Sequence, residues 1–156
     1  MRLYHTSNME IQHPNIKFSR NYLDFGKGFY LTTLEEQALN YGQRFIRKSE
    51  EAIMNVYELD DDLEGFTRIT FNAYDSLWLD YITACRKGKP HPIYDIIEGG
   101  IADDQVFDTI DLYFSGIYNR EQTLNQLRYK YPNHQLCISN QLVIDKHLHF
   151  IKSIKL

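Results

Sequence analysis

The strongest constraint in the chain is a change of period. From Gly26 to Tyr41 the sequence reads Gly-Lys-Gly-Phe-Tyr-Leu-Thr-Thr-Leu-Glu-Glu-Gln-Ala-Leu-Asn-Tyr. Two glycines around Lys27, followed at once by the β-prone run Phe29 to Thr32, predict a tight turn entering a short strand. Thr33 with Glu36 predicts a capping box, in which hydroxyl and carboxylate each satisfy a backbone N–H left open by the first helical turn. Leu34, Ala38, Tyr41 and Phe45 recur at steps of four, three and four, which predicts one face of a helix. Alternation along the strand puts Phe29 and Leu31 on one face and Gly28, Tyr30 and Thr32 on the other. With Phe29 and Leu31 toward the core, Tyr30 faces a cleft, and Tyr41 reaches the same gap from the helix over a floor of glycine backbone. A flat, electron-poor ring fits between two such aromatic faces. Equally, both are ordinary core residues in a chain with 12 tyrosines.

The spacing resembles a known pattern. A Gly-Lys-Gly-aromatic-Tyr element, then a helix ending in a tyrosine 11 residues after the first (Tyr30 to Tyr41), is similar to the nicotinamide-binding segment of the ADP-ribosyltransferases of the poly(ADP-ribose) polymerase and diphtheria-toxin type. Tyr4-His5-Thr6-Ser7 resembles the first motif of that family. The resemblance implies that His5 hydrogen-bonds a ribose hydroxyl of NAD and that the backbone of Thr6 holds the nicotinamide amide. Thr6 stands where glycine is commoner, a mild departure because a backbone contact needs only N–H and C=O. The same resemblance implies Ser7, Gly28 and Ala38 as further NAD contacts. Near the C-terminus, Gln135 opens a strand-like run at the place of the catalytic glutamate in the third motif, and Asp-Lys-His-Leu-His stands for the last strand. The implied triad is therefore His5, Tyr30 and Gln135. The segment Tyr-Asp-Ile-Ile-Glu-Gly-Gly-Ile-Ala-Asp-Asp resembles an uncharacterised bacterial family grouped with these transferases, and that similarity extends across most of the chain.

The remaining segments read as follows. Leu3 to His5 predicts a first strand. Residues 9 to 25 predict a long loop, of the kind that serves as a lid or binding loop. Ser19 and Arg20 within it suit a diphosphate, since guanidinium pairs well with phosphate oxygens, although a solvated arginine fits the same residues. Ala52 to Leu59 and Phe66 to Phe71 predict strands, and the acidic run Asp60, Asp61, Asp62 and Glu64 a solvated turn with no metal. Asp75 to Arg86 predicts a helix with Leu77, Trp78, Tyr81, Ile82 and Cys85 as its apolar face, stopped by Lys87-Gly88-Lys89-Pro90. Ile93 to Glu98 predicts a strand. Val106, Phe107, Ile110, Tyr113 and Phe114 carry helical periodicity, as does Glu121 to Tyr131. His134 to Ile154 predicts two strands about a turn near Ser139-Asn140, with Gln135 opposite the apolar pair Leu136 and Ile138.

Composition narrows the class. A chain of 156 residues, 43% hydrophobic and 24% charged, predicts one globular domain over residues 1–156. A net charge of −4 gives no general basic surface for a duplex, though Arg44, Arg47 and Lys48 form a local patch. Two cysteines, Cys85 and Cys137, make no disulfide framework and suit a reducing cytoplasm. No apolar run approaches a membrane span, and no signal peptide is expected from the N-terminal sequence.

The expected fold is α+β, ADP-ribosyltransferase-like: two small, mostly antiparallel sheets around an NAD cleft with flanking helices. The expected activity is NAD-dependent mono-ADP-ribosyl transfer, with NAD as substrate and an unspecified protein or nucleic acid as acceptor. Breaking the nicotinamide–ribose bond leaves a cation-like sugar, so a protein helps by clamping the dinucleotide and stabilising the charge. Glutamine accepts a hydrogen bond but is neutral, which favours single transfer over chain building. By analogy of fold the chain is the toxin of a toxin–antitoxin or anti-phage pair, with an antitoxin as partner. Two other readings stay open, a non-catalytic NAD- or ADP-ribose-binding module and an NAD glycohydrolase. If Gln135 is only a strand residue, the catalytic carboxylate is to be sought at Glu98 or Asp103.

Overall fold

The apolar runs sort themselves into two sheets. The computed structural model describes residues 1–102, 104–127 and 133–156. In chain order the elements are β1 (Arg2–Ser7), β2 (Phe29–Leu31), α1 (Glu35–Ile46), β3 (Ile53–Leu59), β4 (Arg68–Thr70), α2 (Ser76–Lys87), β5 (Ile96–Gly99), α3 (Asp104–Phe114), α4 (Arg120–Leu127), β6 (Gln135–Ile138), α5 (Gln141–His147) and β7 (Leu148–Lys155), with a short 3-10 helix at Ile16–Phe18. One sheet has the order β1-β3-β7 and is antiparallel throughout; the other has the order β2-β6-β5-β4, with only the β4–β5 pair parallel. This is an α+β architecture of two small, mostly antiparallel sheets with five helices among the described residues.

Period-two alternation decides which core each strand residue joins. Phe29, Leu31, Leu136, Ile138 and Ile96 turn to a core shared with Leu3, Tyr57 and Leu59 of the first sheet and with Val143 and Ile144 of α5. Ile97 and Cys137, on the opposite face, join Trp78, Leu79 and Ile82 of α2, Val106 and Ile110 of α3 and Leu127 of α4. Trp78, predicted as core, is completely buried.

Local signals placed some helix ends and misplaced others. Gly88 ends α2 in the left-handed conformation, within the stop that the sequence predicts, while Asp75, read from the sequence as the first helical residue, is instead its N-cap and accepts from the Trp78 N–H at 3.0 Å. Within α2, however, Leu77 is exposed and Leu79 takes the buried place assigned to it. The capping box of α1 does not form. Leu34 is the N-cap with no side-chain bond, and the Thr33 N–H donates instead to His134 Nδ1 at 3.1 Å. A tertiary acceptor displaced the local one. The buried face of α1 is Ala38 and Gly42, while Leu34 and Tyr41 are exposed. Gly42 permits that approach, since a Cβ there would meet Leu156 Cδ1 at 2.4 Å.

Two strands are shorter or later than predicted. The Phe66–Phe71 run pairs only over Arg68–Thr70, and the Ile93–Glu98 run starts at Ile96, with Ile93 exposed. Between β6 and β7 there is no simple turn but α5, capped by Asn140, whose Oδ1 accepts from the Leu142 N–H at 3.0 Å. Seven residues give two turns, too few for a helical period to stand out. Of the Glu121–Tyr131 helix, Arg120–Leu127 is described and the rest lies outside the described residues.

Candidate functional site

β1 and β2 belong to different sheets and meet at one point. The Tyr4 N–H donates to Thr32 O at 2.8 Å and the Thr32 N–H returns the bond to Tyr4 O at 2.9 Å. One residue on, His5 Nδ1 lies 2.7 Å from Tyr30 O, so Nδ1 carries the proton and donates. Nε2 is then left as an acceptor in the neutral ring. The imidazole rests on Phe29, with ring centroids 4.6 Å apart. Burial pushes the His5 pKa below its ordinary value, against the opposing pull of the bond to Tyr30 O. The ring is therefore neutral at pH 7.

Tyr30 is anchored at both ends of its hydroxyl. It donates to Gly26 O at 2.6 Å and accepts from the Phe25 N–H at 3.0 Å, which closes the glycine turn onto the strand. Burial raises its pKa far above the ordinary phenol value. It is not a general base.

Register brings Gln135 beside it. Tyr30 pairs with Cys137 across β2 and β6, and Gln135 lies two residues from Cys137, hence on the same face. Gln135 is 7% exposed. Its Nε2 donates to Asp24 Oδ2 at 3.1 Å and to Gly100 O at 3.2 Å. Asp24 is gripped in turn by Arg86, whose Nε and Nη2 donate to Oδ1 at 2.8 and 2.5 Å. The Arg86 guanidinium stands 4.3 Å over the Phe107 ring.

A cavity of about 1080 Å³ opens in front of these residues. His5, Gly28, Tyr30, Tyr41 and Gln135 line it together with residues of the 9–24 loop, among them Arg20 and, beside Gln135, Asp24. The loop is pinned where it starts and ends. Asn55 Oδ1 accepts from the Ile11 N–H at 2.8 Å, the Tyr57 hydroxyl donates to Ile11 O at 2.5 Å, and Gln141 holds both the Ile16 N–H and Pro14 O. Ser19 Oγ accepts from the Gly28 N–H at 3.0 Å. Between these anchors Phe18 is 85% exposed, and Arg20 makes no ion pair among the described residues.

The sequence-predicted site residues thus divide. His5, Arg20, Gly28, Tyr30, Tyr41 and Gln135 come together around one cavity. Thr6, Ser7 and Ala38 do not line it. Thr6 is buried with its hydroxyl donating to Ala38 O at 2.8 Å, a strand-to-helix tie, and Ser7 Oγ donates to Met9 O at 2.7 Å. Gly28 serves close approach: a Cβ would fall 2.4 Å from Cys137 Sγ and 2.7 Å from Ile138 O. Tyr41 is 45% exposed, with Arg44 stacked on it at 5.0 Å. Asp24 and Arg86, which hold Gln135, were missed, since residues 62 apart in sequence share no local pattern.

Other reactive groups are committed elsewhere. Burial pushes both Cys85 and Cys137 up to about 12, so neither thiol is a nucleophile at neutral pH. Glu98 accepts from His134 Nε2 at 2.8 Å and pairs with Arg68; the His134 bond is the larger of the two causes holding it at about 2. It does not line the cavity. Asp103 lies outside the described residues. Among the described residues no cluster of His, Cys, Asp or Glu could hold a metal ion, and no helix is long and apolar enough to cross a membrane.

Fold and cavity define an α+β domain with a ligand-sized cleft where its two sheets meet. The chain belongs to the family described as Protein of unknown function (DUF3990), whose model matches residues 1–150. No curated protein and no solved structure matches it.

Proposed function

We propose that the chain is an NAD-dependent mono-ADP-ribosyltransferase that uses this cleft. The observation that carries the reading is the convergence of His5, Tyr30 and Gln135, from three strands and two sheets, on one cavity that Tyr41 and Arg20 also line. The volume, about 1080 Å³, stands at the upper end of the range for small-molecule sites and suits a dinucleotide. His5 Nε2 accepts a ribose hydroxyl, Tyr30 offers a fixed aromatic face to nicotinamide, Tyr41 closes over it, and Arg20 supplies charge for the diphosphate. With the triad carboxylate replaced by an amide, acceleration rests on clamping and dipoles, which fits transfer to an acceptor that is already nucleophilic. The acceptor is a protein or nucleic acid, and a role as the toxin of a toxin–antitoxin or anti-phage pair follows by analogy.

One observation favours a second reading. Gln135 is neutral and its amide nitrogen is bound inside the protein, which also suits a module that binds NAD or ADP-ribose without turnover. Labelled NAD incubated with the protein and a cell lysate separates the cases. Label on macromolecules with nicotinamide released is the expected result. Free ADP-ribose alone indicates a glycohydrolase, and binding without release the module. His5→Ala should weaken NAD binding about tenfold in calorimetry, on the scale of one hydrogen bond to ligand; unchanged affinity puts the ribose elsewhere.

A further inference from the structure

A planar amide can present either of two atoms to a ligand, and its surroundings decide which. Around Gln135 Nε2 stand a carboxylate oxygen, Asp24 Oδ2 at 3.1 Å, and a carbonyl oxygen, Gly100 O at 3.2 Å. Both are acceptors, so the nitrogen must face them and both its hydrogens are used. Asp24 has no freedom to do otherwise. Oδ1 takes Arg86 Nε and Nη2, and Oδ2 takes the Ala102 N–H at 3.2 Å besides Gln135. Four donors on two oxygens leave little of the carboxylate for a substrate, although Asp24 lines the cavity.

We propose that Asp24, clamped by Arg86 and the Ala102 amide, is a positioning residue that holds Gln135 with Oε1 toward the cleft, as acceptor for a ribose hydroxyl. The proposal rests on the NAD reading above. It also accounts for glutamine at this position: a glutamate would set a carboxylate oxygen about 3 Å from both Asp24 Oδ2 and Gly100 O, where an acceptor faces two acceptors. The Asp24 carboxylate sits one residue behind the substrate, and the neutral amide passes its orientation forward.

The test combines a double-mutant cycle with a readout that needs no NAD. In Asp24→Asn an amide nitrogen must replace one saturated acceptor, so either Gln135 Nε2 with the Ala102 N–H or the Arg86 fork meets a donor. Nicotinamide release should fall about tenfold in Asp24→Asn and in Gln135→Ala, and the double variant should fall no further than Gln135→Ala alone. An equal loss on adding Asp24→Asn to either background overturns positioning and makes Asp24 merely structural. Independently, the side-chain amide signal of Gln135 in ¹⁵N-labelled protein, identified by its absence in Gln135→Ala, should exchange slowly in the wild type and lose that protection in Asp24→Asn. Protection that persists overturns the geometry. Lost protection together with no nicotinamide release by the wild type overturns the transferase reading and the catalytic half of this proposal. Should Asp24→Asn not fold, Arg86→Lys keeps the charge but loses the two-nitrogen grip, and the same cycle applies. Gln135→Glu should be less stable and slower than wild type; a variant equally stable and faster at pH 7 overturns the requirement for a donor at 135.

Discussion

The two sides of the cleft are built differently. On the strand side, His5, Tyr30 and Gln135 take their directions from hydrogen-bonded register, and each is tied by a further bond to backbone or to a buried ion pair. On the loop side, residues 9–24 are pinned at Ile11, Ile16, Ser19 and Asp24, yet Phe18 and Tyr22 stand exposed between the pins, Tyr22 at a φ of 61°. Sheet register fixes reactive groups to fractions of an ångström, whereas a loop held at points can still adapt to what it covers. On the proposed reading, chemistry belongs to the first side and recognition to the second.

The largest effect should come from breaking the strand side. Gly28→Ala drives a methyl into Cys137 Sγ and the Ile138 carbonyl, and backbone cannot step aside cheaply, so unfolding free energy should fall by about 3 kcal/mol in urea titration. A loss under about 0.5 kcal/mol would mean that β2 shifts freely on β6.

Next comes acid. His134 Nδ1 accepts from the Thr33 N–H, so Nε2 holds the proton it donates to Glu98, and this pair fastens β5 and β6 to the start of α1. With the Glu98 pKa lowered from 4.5 to about 2, the unfolded chain binds the proton more readily across that interval. The contribution of Glu98 is thus full above about 4.5 and lost as pH falls toward about 2. The His5 pKa is depressed as well, so its contribution is present above its ordinary value and fades as pH falls through the folded one. Glu98→Gln should flatten the lower limb of a plot of stability against pH, followed by circular dichroism, and leave the His5 limb in place.

The two tyrosines sharpen the contrast. Tyr30→Phe deletes a buried hydroxyl with two partners, and should cost about 1–2 kcal/mol of stability with the aromatic face retained. Tyr41→Ala removes a half-exposed ring and should leave thermal stability nearly unchanged while weakening NAD binding by about three- to tenfold. Reversed outcomes would exchange their roles. The smallest stability effect is expected at the loop: Phe18→Ser should change stability by less than about 0.5 kcal/mol, and any change in acceptor labelling would then report recognition alone.

Much of this plan was legible in the chain. The alternation of Phe29, Tyr30 and Leu31, and of Gln135, Leu136 and Cys137, assigned faces correctly because a strand has only two. Gly88 marked the end of α2, and its start was placed to within one residue, because caps act within a few residues. The same logic misread Thr33 and Glu36, where His134, 101 residues away, took the open N–H. Helical spacing placed Tyr41 on the side of Ala38, yet Gly42 gave the closer contact and turned Tyr41 outward. Periodicity says that a face exists; the neighbour that packs on it decides which face is used.

What the sequence determined by itself is therefore local: the strand runs, the glycine turn and the capped helix, each set by sterics and hydrogen bonds among near neighbours. Only the tertiary structure decided that β1 of one sheet crosses β2 of the other at His5 and Tyr30, and that Asp24 and Arg86 stand behind Gln135. An amide's orientation depends on which acceptors lie within about 3 Å of it, and those come from segments whose meeting no local propensity encodes.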